Sequence, residues 1–375
     1  MKALVIGGGI IGSSVAWRLA AEGVKVTVFE RGRLGQEASW AAAGMIAPQA
    51  EAEGPGPILD ISLRGREAFE RIVDRLTRES GVDPEYDQAG ILYCALDQEE
   101  QRQLEGRARW QREAGLGAEV EELDGAAARR IEPMLSPEVV YALHLPTNRR
   151  VENRKLTQAY VAAAVKAGAE FREGARVAEI IAHNGRGAGL RLDDGSLHEA
   201  DFVVNAAGAW SAEIRGLEAD RVTMRPVRGQ IVCFQGRPAT LGPAIFSLRG
   251  YLVPRRDGRL LAGSTMEDAG FDRSVTMAGM GRILAGANAL IPGLNAIPFR
   301  EAWAGFRPGT EDKMPVLGPS SAHPNVLYAT AHFRSGILLS ALTGEVIAAL
   351  VAGRKPPLDL TPFLPDRFAK KGAAR

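Results

Sequence analysis

Cysteine and net charge are both scarce in this 375-residue sequence. The two cysteines, Cys94 and Cys233, lie far apart and belong to no CxxC or metal-spaced set, so we expect neither disulfides nor a metal site. A formal net charge of +1 lacks the concentrated positive charge on which nucleic-acid and anionic-membrane binding depend. The absence of any run of 18 or more apolar residues predicts no membrane-spanning helix.

Apolar residues, in contrast, are plentiful. Hydrophobic residues make up 46% of the chain and charged residues 24%, which is ordinary for a globular protein. The length suits two domains of roughly 100–200 residues each. Because the first residues already form a glycine-rich motif that cleavage would destroy, we expect no signal peptide and a cytoplasmic location.

The chain opens with the pattern of a strand, a helix and a second strand. A short apolar strand is predicted over residues 3–6, a helix over 9–21 and a β-branched strand over 24–29. The intervening GxGxxG consists of Gly7, Gly9 and Gly12, which permit a tight turn, close approach of a pyrophosphate and close helix–sheet packing. The second strand ends in Glu30, whose carboxylate can accept both ribose hydroxyls. This unit predicts a dinucleotide site, for either FAD or NAD.

Three further segments are suited to close contact with a long, flat ligand. Residues 38–45 and 206–210 are rich in alanine and glycine, and residues 332–338 place Gly336 at the start of a C-terminal helix. Three separate approaches imply a ligand that threads the whole domain. A nicotinamide cofactor would need fewer, so the sequence favours FAD.

At these residues the chain resembles the D-amino-acid-oxidase-type family of FAD oxidoreductases, and within it the bacterial glycine oxidases of thiamine biosynthesis. The resemblance runs nearly end to end. Its strongest marks are IGGGIIG at residues 6–12, AAAGM at 41–45, YLVPR at 251–255, WAGFRPGT at 303–310 and AHFR at 331–334.

The resemblance implies non-covalent FAD and oxidation of the Cα–N bond of a small amino acid to an imine, with O2 reduced to H2O2. It also implies a homo-oligomer, a tetramer, and hand-off of the product to thiazole synthase. On the substrate side, it places Arg307 on the substrate carboxylate, with Tyr251 donating a hydrogen bond to that group. Met266 would wall the pocket, and Arg334 would lie beside substrate and flavin. The alternative for Arg307 and Arg334 is a structural role within the fold. The alternative for Tyr251 and Met266 is packing in the core.

Cofactor-binding positions follow from the motifs and from the resemblance together. The predicted set is Gly7, Gly9, Ile10, Ile11, Gly12, Glu30, Arg31, Ala38, Ser39, Ala43, Gly44, Met45, Val177, Ala207, Gly208, Trp210, His332, Arg334, Ser335, Gly336, Ile337 and Leu338. No proton-transfer role is assigned to His332, because hydride transfer from a neutral amine needs no base. The other histidines, His144, His183, His198 and His323, are expected at the surface or in loops.

One position departs from the glycine oxidase pattern. Arg249 stands two residues before Tyr251, where that pattern has a histidine, and a longer charged side chain at the pocket mouth would change the preferred substrate size or charge. The alternatives are therefore an oxidase of sarcosine or other N-methyl amino acids and a quinone-linked D-amino acid dehydrogenase. A third alternative is a non-oxidase flavin-binding subunit of a complex.

The predicted fold is mixed α/β, with a Rossmann-like FAD-binding domain and a discontinuous substrate domain built on a mixed or antiparallel sheet. Rossmann-like segments lie at the start, middle and end of the chain, interleaved with strand-rich segments. The FAD-binding domain is predicted to comprise residues 1–83, 150–222 and 308–366. The substrate domain is predicted to comprise residues 84–149 and 223–307. Residues 47–57 are expected to be a loop.

Overall fold

Strands and helices alternate along the computed structural model, which describes residues 1–182, 188–236 and 242–371. The strands are β1 Lys2–Ile6, β2 Lys25–Phe29, β3 Met45–Ile46, β4 Ile91–Ala95, β5 Glu121–Asp124, β6 Tyr141–Leu145, β7 Arg149–Arg150, β8 Glu170–Arg172, β9 Val177–Ala182, β10 Ala188–Leu192, β11 Leu197–Ala200, β12 Phe202–Asn205, β13 Arg225–Gln235, β14 Ala244–Ser247, β15 Gly250–Pro254, β16 Arg259–Gly263, β17 Glu267–Asp268, β18 Phe299–Gly309, β19 Val316–Pro319 and β20 Val326–Thr330. The α-helices are α1 Ile10–Ala21, α2 Ala38–Ala41, α3 Pro48–Glu51, α4 Pro57–Ser80, α5 Gln98–Glu113, α6 Gly125–Ile131, α7 Asn153–Lys166, α8 Met277–Leu290, α9 Gly336–Val351 and α10 Asp366–Lys371.

The first sheet has six strands in the order β19-β20-β12-β1-β2-β8. All neighbours are parallel except β19 and β20. Helices α1, α4, α7 and α9 pack against one another and share one apolar core with this sheet. The opposite face packs against the three-stranded sheet β11-β10-β9. Because both faces are covered, β1 and β20 are apolar along almost their whole length.

The second sheet has nine strands in the order β17-β13-β16-β15-β14-β4-β6-β5, with β18 also paired to β13. Its pairs are antiparallel except β4 with β14. Helix α8 packs on one face. The other face packs against alanines from residues 41–50, which follow the first βαβ unit. Residues 41–50 therefore connect the two large sheets. The predicted mixed α/β class is confirmed.

The opening strand, helix and strand form as the sequence predicts. The interval expected to be a loop differs, because Pro48–Glu51 is helical. Proline is common in the first turn of a helix, because the N–H that proline lacks would have no hydrogen-bond partner within the helix there. His144 and His198 lie on β6 and β11 rather than in loops, and His183 lies outside the described residues. Within the described ranges, no helix combines the length and apolarity needed to cross a membrane.

Candidate active site

A cavity of about 520 Å³ lies between the two large sheets. At one end it is lined by the turn between β1 and α1 and by the end of β2. At the other end it reaches Tyr251 on β15 and Arg307 on β18. Segments far apart in sequence line its middle. Residues from both large sheets and from their connections therefore build one shared cavity.

The turn between β1 and α1 is packed too closely for side chains. Gly7 has φ +99°, and a Cβ built on it would lie 2.5 Å from the Ala206 carbonyl oxygen. A Cβ on Gly12 would lie 1.9 Å from the Gly7 carbonyl oxygen, so Gly12 serves helix–strand packing rather than the cavity lining. Ser39 Oγ accepts a hydrogen bond from the Ile10 backbone N–H at 2.9 Å. The positive end of α1 thus faces the cavity, as a phosphate group requires.

Glu30 is buried at the end of β2, and its carboxylate is held by two backbone amides. The N–H groups of Gly8 and Gly32 each donate to it at 2.8 Å. A carboxylate offers about four acceptor positions, so capacity remains for ribose hydroxyls. The neighbouring Arg31 lies 3.5 Å above the ring centroid of Trp210, and both side chains line the cavity. This end suits the adenosine part of a dinucleotide.

The small-residue segment at residues 38–45 is held in place by two side chains that the sequence reasoning missed. Arg255 is buried and donates to the carbonyl oxygens of Ala43 at 2.9 Å and Val151 at 2.7 Å. Asn153 accepts from Arg255 at 2.9 Å and donates to the Ser39 carbonyl oxygen at 2.7 Å. Burial lowers the pKa of Arg255 to about 10. The feature of the sequence that could have identified Arg255 is its position as a charged residue directly after the apolar strand β15.

Arg307 projects from β18 into the opposite end of the cavity. Its Nη1 donates to the Thr265 carbonyl oxygen at 3.1 Å and its Nη2 to Ser264 Oγ at 2.7 Å. The guanidinium lies against Gly229, where an added Cβ would come within 2.3 Å of Nη1. Burial, with the charge of Arg334, lowers the pKa of Arg307, but a guanidinium remains cationic. Over the described ranges Arg307 forms no ion pair, so its charge is available to an anionic ligand.

Tyr251 lies close to this guanidinium. Its ring stacks on Phe246 with centroids 5.5 Å apart, and an added Cβ on Gly263 would come within 2.7 Å of its hydroxyl oxygen. Burial raises the pKa of Tyr251, and the positive charge of Arg307 acts in the opposite direction. The side chain is therefore a neutral phenol that can donate a hydrogen bond beside Arg307.

Arg334 also lines this end, and its Nη2 lies 2.5 Å from Oε2 of Glu51. The sequence reasoning missed Glu51, which ends the unexpected helix α3. An acidic residue directly after the alanine-rich residues 41–50 was the only feature of the sequence that pointed to Glu51. Ala331 and Phe333, which come shortly before Arg334, have φ of 58° and 48°. These values lie in the left-handed region, which residues other than glycine rarely adopt. The Phe333 N–H donates to the Pro308 carbonyl oxygen at 3.0 Å, which holds this turn against the end of β18.

His332 is buried beneath the same turn. Its Nε2 lies 2.9 Å from Thr343 Oγ1, and burial lowers the pKa of His332 to about 3. The imidazole is therefore neutral throughout the physiological range.

Two predicted substrate-side positions need correction. Met266 does not wall the cavity, because its side chain is 56% exposed. Thr265, in the same connection between β16 and β17, points inward instead, where its Oγ1 accepts from the Gln230 N–H at 2.9 Å. Arg249 is not at the cavity mouth either. It pairs with Asp97 at 2.8 Å and Glu100 at 2.6 Å, so the departure from the glycine oxidase pattern does not reach the site.

Most predicted cofactor positions line the cavity, and three do not. Gly12 packs the helix, Ser335 precedes α9, and Leu338 faces the apolar core while Gly336 and Ile337 face the cavity. The positions that line it are Gly7, Gly9, Ile10, Ile11, Glu30, Arg31, Ala38, Ser39, Ala43, Gly44, Met45, Val177, Ala207, Gly208, Trp210, His332, Arg334, Gly336 and Ile337. Direct contact of each with FAD stays a prediction.

A parallel sheet, a glycine-rich turn at a helix N-terminus and a buried carboxylate after the second strand define a dinucleotide-binding oxidoreductase. The cavity also reaches Arg307, which has no ion-pair partner among the described residues, and this suits a flavin dinucleotide beside a small anionic substrate. Residues 2–350 match the family of FAD dependent oxidoreductases abbreviated DAO, and the chain belongs to this family. It is an FAD-dependent oxidoreductase.

Individual relatives agree with this assignment over nearly the whole chain. Glycine oxidase of Geobacillus kaustophilus is 33% identical over 370 residues, covering 98% of this chain and 97% of that protein. The crystal structure of glycine oxidase from the same organism matches with a TM-score of 0.93 at 32% identity, covering 98% of this chain and 99% of that one.

Two other relatives have different descriptions. The hydrogen cyanide synthase subunit HcnC of Pseudomonas aeruginosa is 30% identical, covering 99% of this chain and 97% of that protein. The bifunctional protein ThiO/ThiG of Synechocystis is 34% identical, covering 97% of this chain and 54% of that protein.

Proposed function

We propose that this chain is an amino-acid oxidase that converts glycine or another small amino acid to its imine and reduces O2 to H2O2. The observation that carries the proposal is that Arg307, beside Tyr251 in the cavity, forms no ion pair with any residue that the structure describes. A guanidinium presents a planar fork that fits a carboxylate through two parallel hydrogen bonds. The glycine oxidase of Geobacillus kaustophilus, which covers nearly the same length, supports this substrate class.

Arg307 and Tyr251 act by positioning. Arg307 binds the substrate carboxylate, Tyr251 donates a second hydrogen bond to it, and Ser264 and Thr265 keep the guanidinium fixed. Bound FAD supplies the two-electron acceptor for the hydrogen on Cα. Fixing a small substrate at its carboxylate sets where Cα lies, and positioning of this kind lowers the barrier by removing orientational freedom. The imine is then either passed on to a partner enzyme or hydrolysed by water to an oxo acid and ammonia.

The same chain offers a complete set of groups for FAD. Glu30 would accept the ribose hydroxyls and the N-terminus of α1 would face the pyrophosphate. The segment that Arg255 and Asn153 fix would lie along the rest of the cofactor, together with residues 332–337. We expect FAD to be held without a covalent bond.

The proposed physiological role is supply of the imine to thiazole synthase in thiamine biosynthesis. The ThiO/ThiG relative supports this role, because this chain matches about half of that bifunctional protein. From the resemblance to glycine oxidases, we also propose that the protein is a cytoplasmic homo-oligomer.

A second candidate function has its own support. The HcnC relative is a subunit of hydrogen cyanide synthase, so this chain could serve as the flavin-bearing subunit of a complex. The same cavity could also admit sarcosine or pass electrons from a D-amino acid to a quinone. All these candidates use the Arg307 carboxylate site and differ in partner, N-substituent or electron acceptor.

The rate of flavin reduction by glycine should rise with pH through mildly alkaline values. Only the neutral amine has a lone pair to expel hydride, so loss of a proton from the substrate ammonium increases the rate. Tyr251 stays protonated because its pKa is raised, and His332, with a pKa of about 3, stays neutral. Stopped-flow measurement under anaerobic conditions checks this. A flat profile, with FAD content constant across the pH range, would contradict amine oxidation.

A further inference from the structure

The ion pair between Arg334 and Glu51 lies at the same end of the cavity as Arg307 and Tyr251. Arg334 Nη2 and Glu51 Oε2 are 2.5 Å apart, and both side chains line the cavity. The charges of Arg334 and Glu51 act in opposite directions on the pKa of Arg307 and on the pKa of Tyr251. The four side chains therefore form one electrostatic group around the proposed substrate position.

The charges of this group match a substrate with one carboxylate. Arg307 and Arg334 contribute two positive charges and Glu51 one negative charge, which leaves one net positive charge. An amino acid with a neutral amine carries one negative charge. A second carboxylate on the substrate would find Arg334 already neutralised and would be repelled by Glu51.

Glu51 has few other contacts that would explain its position in the fold. Its Oε2 makes no hydrogen bond of ordinary geometry with any described residue, although Arg334 is within ion-pair distance. Glu119 shows the contrast, because it accepts hydrogen bonds from Arg66 and from Thr147 in a connected polar network. The ion pair with Arg334 is therefore the main contact of the Glu51 carboxylate among the described residues, which places Glu51 where it controls the access of a ligand to that arginine.

We propose that Glu51 determines substrate specificity by masking Arg334, and that Arg334 is a latent second carboxylate site. Masking restricts the cavity to monocarboxylic amino acids and excludes N-carboxymethyl amino acids, whose second carboxylate would need Arg334 free. This inference rests on the proposed function for the place of the substrate, because it assumes that the first carboxylate binds Arg307.

The test compares two unreactive ligands on the FAD-loaded protein. Thiodiacetate has two carboxylates and (methylthio)acetate has one, and neither has an amine to oxidise. Wild-type protein should bind the monocarboxylate more tightly by calorimetry. In Glu51→Gln, the affinity for thiodiacetate should rise by about tenfold or more, because repulsion is replaced by an available guanidinium. The affinity for (methylthio)acetate should change much less.

Two further variants make the result specific. Glu53→Gln removes a charge that also acts on Arg334, but from an exposed side chain outside the cavity, so it should change the preference much less than Glu51→Gln does. Adding Arg334→Met to Glu51→Gln should abolish the gain. If Glu51→Gln fails to retain FAD, Glu51→Ser removes the same charge and takes its place. Thiodiacetate affinity that stays constant in the Glu51 variants, or that rises equally in Glu53→Gln, would overturn the proposal.

Oxidation of glycine by the wild type is measured separately. Its absence would remove the proposed function but leave the binding comparison valid, because that comparison needs no turnover. A normal rate with glycine and no shift in ligand preference would instead overturn only the role of Glu51.

Discussion

Replacing Arg307 with alanine should raise the half-saturating concentration of glycine by at least about a hundredfold. A substrate as small as glycine has few atoms, so most of its binding energy must come from its charged ends. Removing the partner of a buried carboxylate typically costs about 3–5 kcal/mol, or roughly two to four powers of ten in affinity. FAD content should barely change, because Arg307 lies on β18 of the nine-stranded sheet, whereas Glu30 and the α1 turn follow strands of the six-stranded sheet.

The lysine variant refines this test. Arg307→Lys should recover only part of the loss, since an ammonium cannot reproduce the fork that Ser264 and Thr265 hold in place. Arg300→Ala is a matched control on the same strand, where the side chain is half exposed and lies outside the cavity. Steady-state kinetics with glycine, sarcosine and D-alanine give the measurement. Unchanged saturation by all three in Arg307→Ala would place the carboxylate site elsewhere.

The second large effect concerns FAD retention in Glu30→Ala. Two ribose hydrogen bonds to a carboxylate contribute about 1.5–3 kcal/mol each, so FAD affinity should fall by at least about a hundredfold. The structure adds a second cause. The N–H groups of Gly8 and Gly32 lose their acceptor, which loosens the turn that approaches the cofactor.

Occupancy can be read as the FAD released when the dialysed protein is denatured. This measurement requires non-covalent binding, and neither cysteine lines the cavity. Burial also raises the pKa of Cys94 to about 12 and disfavours its thiolate. Glu173→Ala is the matched control, because it removes a carboxylate that accepts the Leu34 N–H from outside the cavity. Full occupancy in Glu30→Ala, or colour that stays with the precipitate, would contradict this account.

Local patterns predicted the nucleotide end of the site well, for a physical reason. The turn at Gly7 and Gly12, the strand before it and Glu30 lie within about thirty residues, so their spacing alone defines the unit. Arg255 and Glu51 escaped prediction because their roles depend on distant partners. Arg255 contacts the Ala43 carbonyl oxygen across 212 residues of sequence, and Glu51 meets Arg334 only when the two sheets come together.

Two side chains that were expected at the cavity from the comparison with the glycine oxidase pattern lie outside it for a related reason. A motif gives a position along the chain, but both residues lie in connections between strands, where no regular alternation fixes the direction of a side chain. Met266 is exposed while Thr265 is buried. Arg249 forms ion pairs with Asp97 and Glu100. The sequence around Arg249 does not indicate these distant partners.

The most direct test of the central claim is peroxide release from the purified, FAD-loaded protein mixed with glycine, sarcosine or D-alanine in air. We expect H2O2 with at least one of them, flavin bleaching by the same amino acid without oxygen, and loss of both at low substrate concentration in Arg307→Ala. Bleaching without peroxide, with electrons passing to a quinone dye, would contradict the oxidase assignment alone. Neither peroxide nor bleaching with any of the three would contradict amino-acid oxidation at this site.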